Sequence, residues 1–108
     1  MTVTASAPTR VDLAGGTIDI WPLYLFHPGA QTLNAALSIR TWARLESRDD
    51  DAVVLASDDL GVSTPPLAFD ALSGDTTLPL LAKLAHAFGA RGLTVTTRSD
   101  SPAGAGIA

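Results

Sequence analysis

The sequence predicts an α+β fold, a sheet of mostly antiparallel strands backed by one principal helix. Three observations predict it. Several segments alternate apolar and polar residues with a period of two, which marks strands with one buried and one solvated face. One segment, holding Leu81, Leu84, Ala85 and Phe88 at i, i+3, i+4 and i+7, has the helical period instead. The last strand candidate, LTVTTRSDSP, alternates with threonines and runs into Pro102. A strand of a doubly wound parallel sheet is covered on both faces and reads as a continuous apolar run, so the alternation argues for a sheet with one covered face.

Bulk composition sets the frame. A chain of 108 residues is expected to form one domain and to bury a core. Its 46% hydrophobic and 17% charged residues are globular values, far from the disordered class. The net charge of -4 argues against nucleic acid or an anionic membrane surface as a bulk electrostatic partner, since both select for basic excess. The absence of cysteine excludes disulfides and thiolate metal sites. MTVTASAPT has neither a basic nor an apolar leader region, and no run is long and apolar enough to form a membrane helix. The cytoplasm is the expected compartment.

In chain order, Val3 to Ala7 and Arg10 to Ala14 alternate on either side of Pro8, so two short strands are predicted, with Gly15-Gly16 as the turn that ends the second. Val11 and Leu13 then share the buried face, and Arg10 and Asp12 share the other, beside the turn. This is either a site or an exposed strand face with a local ion pair. In TIDIWPLYLFHP, residues 17 to 28, Asp19 is the lone carboxylate among apolar neighbours and must be paired or held at a pocket edge. Its alternative role is to cap the helical turn that Pro22 suits. Trp21, Tyr24 and Phe26 are read as core in preference to a substrate wall, and His27 as a loop residue.

The clearest strand signal begins at Leu33. Odd positions to Leu45 are mostly apolar, while the even ones carry Arg40, Trp42, Arg44 and Arg48, read as a solvated face. Asp49-Asp50-Asp51 is a turn, and 52 to 56 reads as a returning strand, so residues 33 to 56 are expected to form a hairpin. The aspartates lack the glycine and distal glutamate of a calcium loop. Residues 58 to 74 are expected to be loop. A helix is predicted from Thr77, with Pro79 in its first turn and Gly89 just past its end. His86 is placed on its surface and in no metal site. Gly92 to Arg98 is the last strand.

The chemistry lies in the residues that follow. In Pro102-Ala103-Gly104-Ala105-Gly106-Ile107-Ala108 only small residues flank the turn, so backbone N–H groups can approach an anion without interference from Cβ atoms. A loop of this kind normally feeds a helix, whose free N–H groups and dipole add to the cradle. That helix would lie beyond Ala108. The Walker-type loop is excluded, because it requires a lysine after its glycines and the only lysine is Lys83. A dinucleotide turn, G-x-G-x-x-G, is half matched by Gly104 and Gly106, and an oxidoreductase is one alternative. A non-catalytic binding module with the same fold is another.

Two motifs together carry a family resemblance: RVDLAGGTID at residues 10 to 19 and SPAGAGIA at 101 to 108, separated by strands and a helix. The chain resembles, along its whole length, the N-terminal part of the small-molecule kinases grouped with galactokinase, homoserine kinase, mevalonate kinase and phosphomevalonate kinase. The Ala-Gly-Gly wording and the following Asp-Ile-Trp-Pro are most similar to the branch with heptose phosphate kinases and fucose kinase.

The resemblance implies a two-layer fold like that of a ribosomal-protein domain, with ATP and Mg2+ as cofactors, a sugar or sugar phosphate as acceptor, and residues 1–108 as part of the ATP- and substrate-binding domain. It implies that Pro102 to Ala108 lie against the ATP phosphates, Arg10 near the transferred phosphate, and Gly15, Gly16, Thr17 and Asp19 at the acceptor. Ile107 stands for a family leucine and Ala108 for a third glycine. Gly16 and Thr17 replace the Glu-His pair of galactokinases, which argues against galactose. The family's catalytic aspartate and loop serines fall beyond Ala108. Since loss of a general base typically costs about 10²–10⁴ in rate, the 108 residues alone are expected to show no turnover.

Overall fold

The computed structural model describes residues 1–102 and 104–106, with Asp19 by its backbone alone. Five strands form one sheet: β1 Thr2–Ala14, β2 Leu33–Ser47, β3 Val53–Ser57, β4 Val62–Ser63 and β5 Leu93–Ser99, in the spatial order β1-β2-β5-β3-β4. The helices among the described residues are α1, Leu23–Phe26, and α2, Pro79–Ala87, with 3-10 turns at Gly16–Asp19 and Phe69–Ser73. This is the α+β class the alternation predicts. By its contacts the chain divides into two compact units, Met1–Ser6 with Trp42–Ser99 and Ala7–Thr41 with Asp100–Ala108. No described helix is long and apolar enough to cross a membrane.

The predicted hairpin over 33 to 56 is not formed. β5 lies between β2 and β3, and β3 pairs with β5 in parallel, Val53 opposite Leu93 through Ser57 opposite Thr97. Parallel neighbours need a long crossover, usually with a helix, and residues 58 to 92 supply one that contains α2. The turn after β2 is therefore a bridge over the start of β5. The Arg48 N–H donates to the Gly92 carbonyl at 2.8 Å and the Leu93 N–H to the Ala52 carbonyl at 3.2 Å. Gly92 has φ +60, and a Cβ there would stand 2.8 Å from the Asp50 carbonyl oxygen. Only glycine lets the strand enter beneath that turn without strain.

The other neighbours run antiparallel. Along β1 and β2 the Ser47 N–H donates to the Met1 carbonyl and the Thr9 hydroxyl to the Ile39 carbonyl. Between β2 and β5, Arg48 bonds Gly92 while Asp100 bonds Arg40. In both pairs residue numbers rise on one strand as they fall on the other. β3 and β4 are antiparallel as well. The two strands expected before Gly15 are one, since β1 continues through Pro8. β1 is an edge strand, where a missing N–H leaves no ladder bond unmade.

The core of the larger unit is Val53 and Leu55 of β3 with Leu72, Leu78, Ala82 and Ala85. β3 reads as a central strand, with Val53, Leu55 and Ser57 buried and the residues between half-buried. α2 begins at Pro79, two residues after the predicted start, and ends before Gly89, whose φ of +66 is the left-handed stop expected of it. Its buried residues are Ala82 and Ala85, with Leu78 just before its start; of the predicted Leu81-Leu84-Ala85-Phe88 face, Ala85 is buried and Leu81 packs against the core, whereas Leu84 is 47% and Phe88 86% exposed. Leu81, Leu84 and Phe88 instead wall an open apolar cavity of about 500 Å3 over Leu45, Leu93 and Val95. Both stripes are apolar, so periodicity alone could not choose between them. The 58 to 74 segment, expected to be loop, holds β4 and the second 3-10 turn.

Candidate functional site

The predicted site residues that the structure describes fall in the smaller unit. Arg10 and Asp12 share a face of β1, as alternation requires, with Arg10 Nε 3.7 Å from Asp12 Oδ1 and side chains 52% and 30% exposed. Val11 is half-buried, but Leu13, expected to be buried beside it, is 63% exposed. β1 ends at Ala14, and Gly15 turns the chain with φ +78 into the Gly16–Asp19 turn. The Ile18 N–H donates to the Gly15 carbonyl at 3.1 Å, and the Thr32 hydroxyl donates to the same carbonyl at 3.2 Å.

Both glycines of the pair are required by contact. A Cβ on Gly15 would collide with the Gln31 carbonyl oxygen, and the positive φ already disfavours any other residue. A Cβ on Gly16 would stand 2.7 Å from Asp12 Oδ2 and 2.8 Å from Asp12 Cβ. The bare Gly16 backbone therefore leaves the room that the Asp12 side chain occupies, and Asp12 in turn stands beside the Arg10 guanidinium. The strand period offered Arg10 and Asp12 together as either a site or a local ion pair, and the family resemblance gave a role to Arg10 alone. The signal was there in the Arg-x-Asp spacing on one strand face followed by two glycines.

Thr17 is exposed within the 3-10 turn. The expectation for the Asp19 carboxylate lies outside the described atoms, although its alternative as a helix cap does not hold, because the cap position of α1 is Pro22. Trp21, Tyr24 and Phe26, expected in the core, are 72%, 48% and 71% exposed, and α1 has no buried residue. A four-residue helix cannot turn one face inward and hide aromatics spaced at two and three residues. Tyr24 instead lines an open cavity with His27, Gly29, Ile18 and Thr32.

The glycine loop follows β5. Gly104 and Gly106 have φ +77 and +69, and a Cβ at either would meet nothing within 4 Å, so it is backbone conformation that demands glycine at both. The Ala105 N–H donates to the Pro102 carbonyl at 3.1 Å, closing a tight turn, and Pro102, Gly104, Ala105 and Gly106 are all exposed. Ser101, directly before them, is buried. The expectations for Ala103, Ile107 and Ala108 lie outside the described residues. An open, glycine-shaped turn with room above it suits the close approach of a phosphate, which is the fit a nucleotide would need. Among the described residues no group of three or more His, Asp or Glu could hold a metal ion.

β2 aligns the two motifs. Its Ile39 carbonyl accepts from Thr9, next to Arg10, and its Arg40 carbonyl accepts from the N–H of Asp100, where the loop begins. Two strand spacings separate those partners, roughly 10 Å. Residues ninety apart in the chain are thus level with each other on either side of one strand.

No protein-family model matches the sequence, and no curated protein matches it. Solved structures do. A D-glycero-D-manno-heptose 1-phosphate kinase from B. thetaiotaomicron superposes with a TM-score of 0.73 at 21% identity, over 99% of this chain and 36% of that one. The mevalonate kinase of Methanococcus jannaschii gives 0.73 at 13% identity, over 99% and 35%. Lactococcus lactis galactokinase, solved with galactose, gives 0.72 at 18% identity, over 99% and 28%. The fold is that of the N-terminal part of the small-molecule kinases grouped with galactokinase and mevalonate kinase. The chain spans about a third of the length of the first of these structures.

Proposed function

We propose that the chain carries the acceptor-side turn and the opening of the phosphate loop of an ATP-dependent kinase that phosphorylates a hydroxyl of a sugar or sugar phosphate, as part of its N-terminal ATP- and substrate-binding domain. The observation that carries this reading is that Thr9, next to Arg10, and Asp100, at the head of the glycine loop, bond successive carbonyls of β2. Phosphoryl transfer is catalysed mainly by positioning and by neutralising charge, so a backbone cradle and a nearby guanidinium are the parts to look for. The similarity to the heptose 1-phosphate kinase, to the galactokinase and to a Campylobacter jejuni protein described as a sugar kinase supports a sugar acceptor.

In this reading ATP supplies the phosphoryl group, and Mg2+ arrives with it, since magnesium is commonly held by phosphate oxygens and water with only one or two carboxylates. The N–H groups of the exposed Gly104 and Gly106 donate to phosphate oxygens, the Ala105 N–H being taken by the Pro102 carbonyl. Arg10 faces the transferred phosphate, held in place by Asp12, while Gly15, Gly16, Thr17 and Asp19 form the turn on the acceptor side. The cytoplasm, where ATP is abundant, is the proposed place of action.

Titration of the 108-residue chain with Mg-ATP, Mg-ADP and NAD+ tests the reading by nitrogen-15 NMR. Mg-ATP should shift the Gly104, Ala105 and Gly106 amides, and Arg10→Ala should weaken ATP roughly fivefold, about 1 kcal/mol for one partly exposed charged hydrogen bond, with little effect on ADP. Equal shifts from NAD+, or none from ATP, would overturn it.

A further inference from the structure

The segment from Ile18 to Thr32 contains the largest departure from expectation in the smaller unit. Ile20, Trp21, Leu23, Tyr24, Leu25 and Phe26 are each at least 39% exposed. An apolar and aromatic cluster left at the surface marks a place where something binds. Tyr24, alone of these six, borders a cavity of about 260 Å3 lined also by Ile18, His27, Pro28, Gly29 and Thr32 among others.

The composition of this wall is specific. It combines one aromatic ring bearing a hydroxyl, an imidazole, a threonine hydroxyl and the backbone around a glycine, with apolar surface between them. It contains no lysine and no arginine. Such a wall is poorly suited to a phosphate, which calls for guanidinium or ammonium partners or a row of free N–H groups. It is equally unlike the almost wholly apolar cavity beside α2. A ligand that carries hydroxyls around its edge and C–H groups on its faces meets the requirement, the faces lying on Tyr24 and the hydroxyls reaching His27 and Thr32. The volume falls just below the roughly 300–1,000 Å3 of sites for drug-sized ligands and so suits a single ring.

The cavity is joined to the double-glycine turn by direct bonds. Thr32, one of its walls, donates to the Gly15 carbonyl, and Ile18, another, donates its N–H to the same oxygen. We infer that the cavity takes the uncharged ring of the sugar acceptor, with Tyr24 and His27 as specificity-determining residues. This rests on the kinase reading above. A phosphorylated sugar would place its ring here and its phosphate elsewhere.

The experiment is an NMR titration of the same chain with D-mannose, D-glucose and D-galactose in the millimolar range, run separately with adenosine. At least one sugar should shift the Tyr24 ring and His27 imidazole signals together with the Thr32 amide. Tyr24→Ala should weaken that sugar at least tenfold, Tyr24→Phe should largely retain it, and neither should alter the circular dichroism, since Tyr24 is half-exposed. Shifts elsewhere without Tyr24 and His27, no shift with any of the three sugars, or equal shifts from adenosine would each overturn the inference. ATP-induced shifts at Gly104–Gly106 report on the kinase reading separately, so the two can fail independently.

Discussion

Replacing Gly92 by alanine tests the bridge that admits β5 between β2 and β3. Two costs arise at this position. The left-handed φ of +60 costs an L-residue about 1–2 kcal/mol, and a Cβ placed 2.8 Å from the Asp50 carbonyl forces backbone to move, about 1–3 kcal/mol more. A smaller term of opposite sign, about 0.4–1 kcal/mol, comes from the restricted unfolded chain. Gly61→Ala is the matched control, because Gly61 has φ +64 and nothing within 4 Å of its would-be Cβ. The conformational and unfolded-state terms cancel between the two variants, leaving the collision alone. Urea denaturation followed by circular dichroism should therefore show Gly92→Ala less stable than Gly61→Ala by about 1–3 kcal/mol, a midpoint difference of roughly 1 M at the usual m-values. Equal destabilisation by the two substitutions would refute the account of how the strand order is set.

Other consequences can be checked alongside. The buried Thr64 hydroxyl accepts from the Leu55 N–H at 3.0 Å, so Thr64→Val strands a buried donor and should cost about 1–3 kcal/mol in the same denaturation assay, whereas Thr64→Ser keeps the bond and should cost less. Gly16→Ala should push Asp12 off Arg10 and, because the new methyl overlaps Asp12 Cβ as well as its carboxylate and cannot be relieved by side-chain rotation alone, should cost about 1–3 kcal/mol, and the Arg10 Nε–H resonance should move towards its position in Asp12→Asn. The Asp50 carboxylate accepts two hydrogen bonds from the Arg48 guanidinium, at 2.7 and 2.6 Å, which hold its pKa below the usual carboxyl range, with the Ala52 N–H adding to them. A depressed folded pKa means that the pair's stabilising contribution is present above the ordinary aspartate pKa and is lost as pH falls through the folded one. Carbon-13 titration of Asp50 should show the lowered midpoint, and Arg48→Gln should raise it.

Short-range signals were legible in the sequence wherever one residue's conformation decided the outcome. Gly89 stops α2, Gly15 turns the chain out of β1, and the glycines after Pro102 build an open turn, because each needs a positive φ that the side-chain-bearing residues disfavour. Arg10 and Asp12 share a face because a strand has a period of two. Where elements compete for partners, the sequence was silent. The turn at 49 to 51 suits a hairpin as well as a bridge over β5, and nothing between Leu33 and Ala56 records that a strand 40 residues later will enter there. Leu78-Ala82-Ala85 and Leu81-Leu84-Phe88 are neighbouring apolar stripes on one helix, and only the position of β3 decides which is buried.

The candidate site divides along the same line. The sequence by itself determined the chemistry available: an arginine and a carboxylate beside two glycines, an acidic residue among aromatics, and a glycine turn after a half-covered strand. These follow from residue type and local backbone geometry, which act over a few residues. Only the tertiary structure decided that Gly16 abuts Asp12, that Thr32 ties a second cavity to the Gly15 carbonyl, and that Thr9 and Asp100 bond successive carbonyls of β2. Each of those facts depends on a contact between distant segments, set by which strands pair and which faces are covered, and the free energy of such a contact belongs to the assembled sheet and to no single stretch of chain.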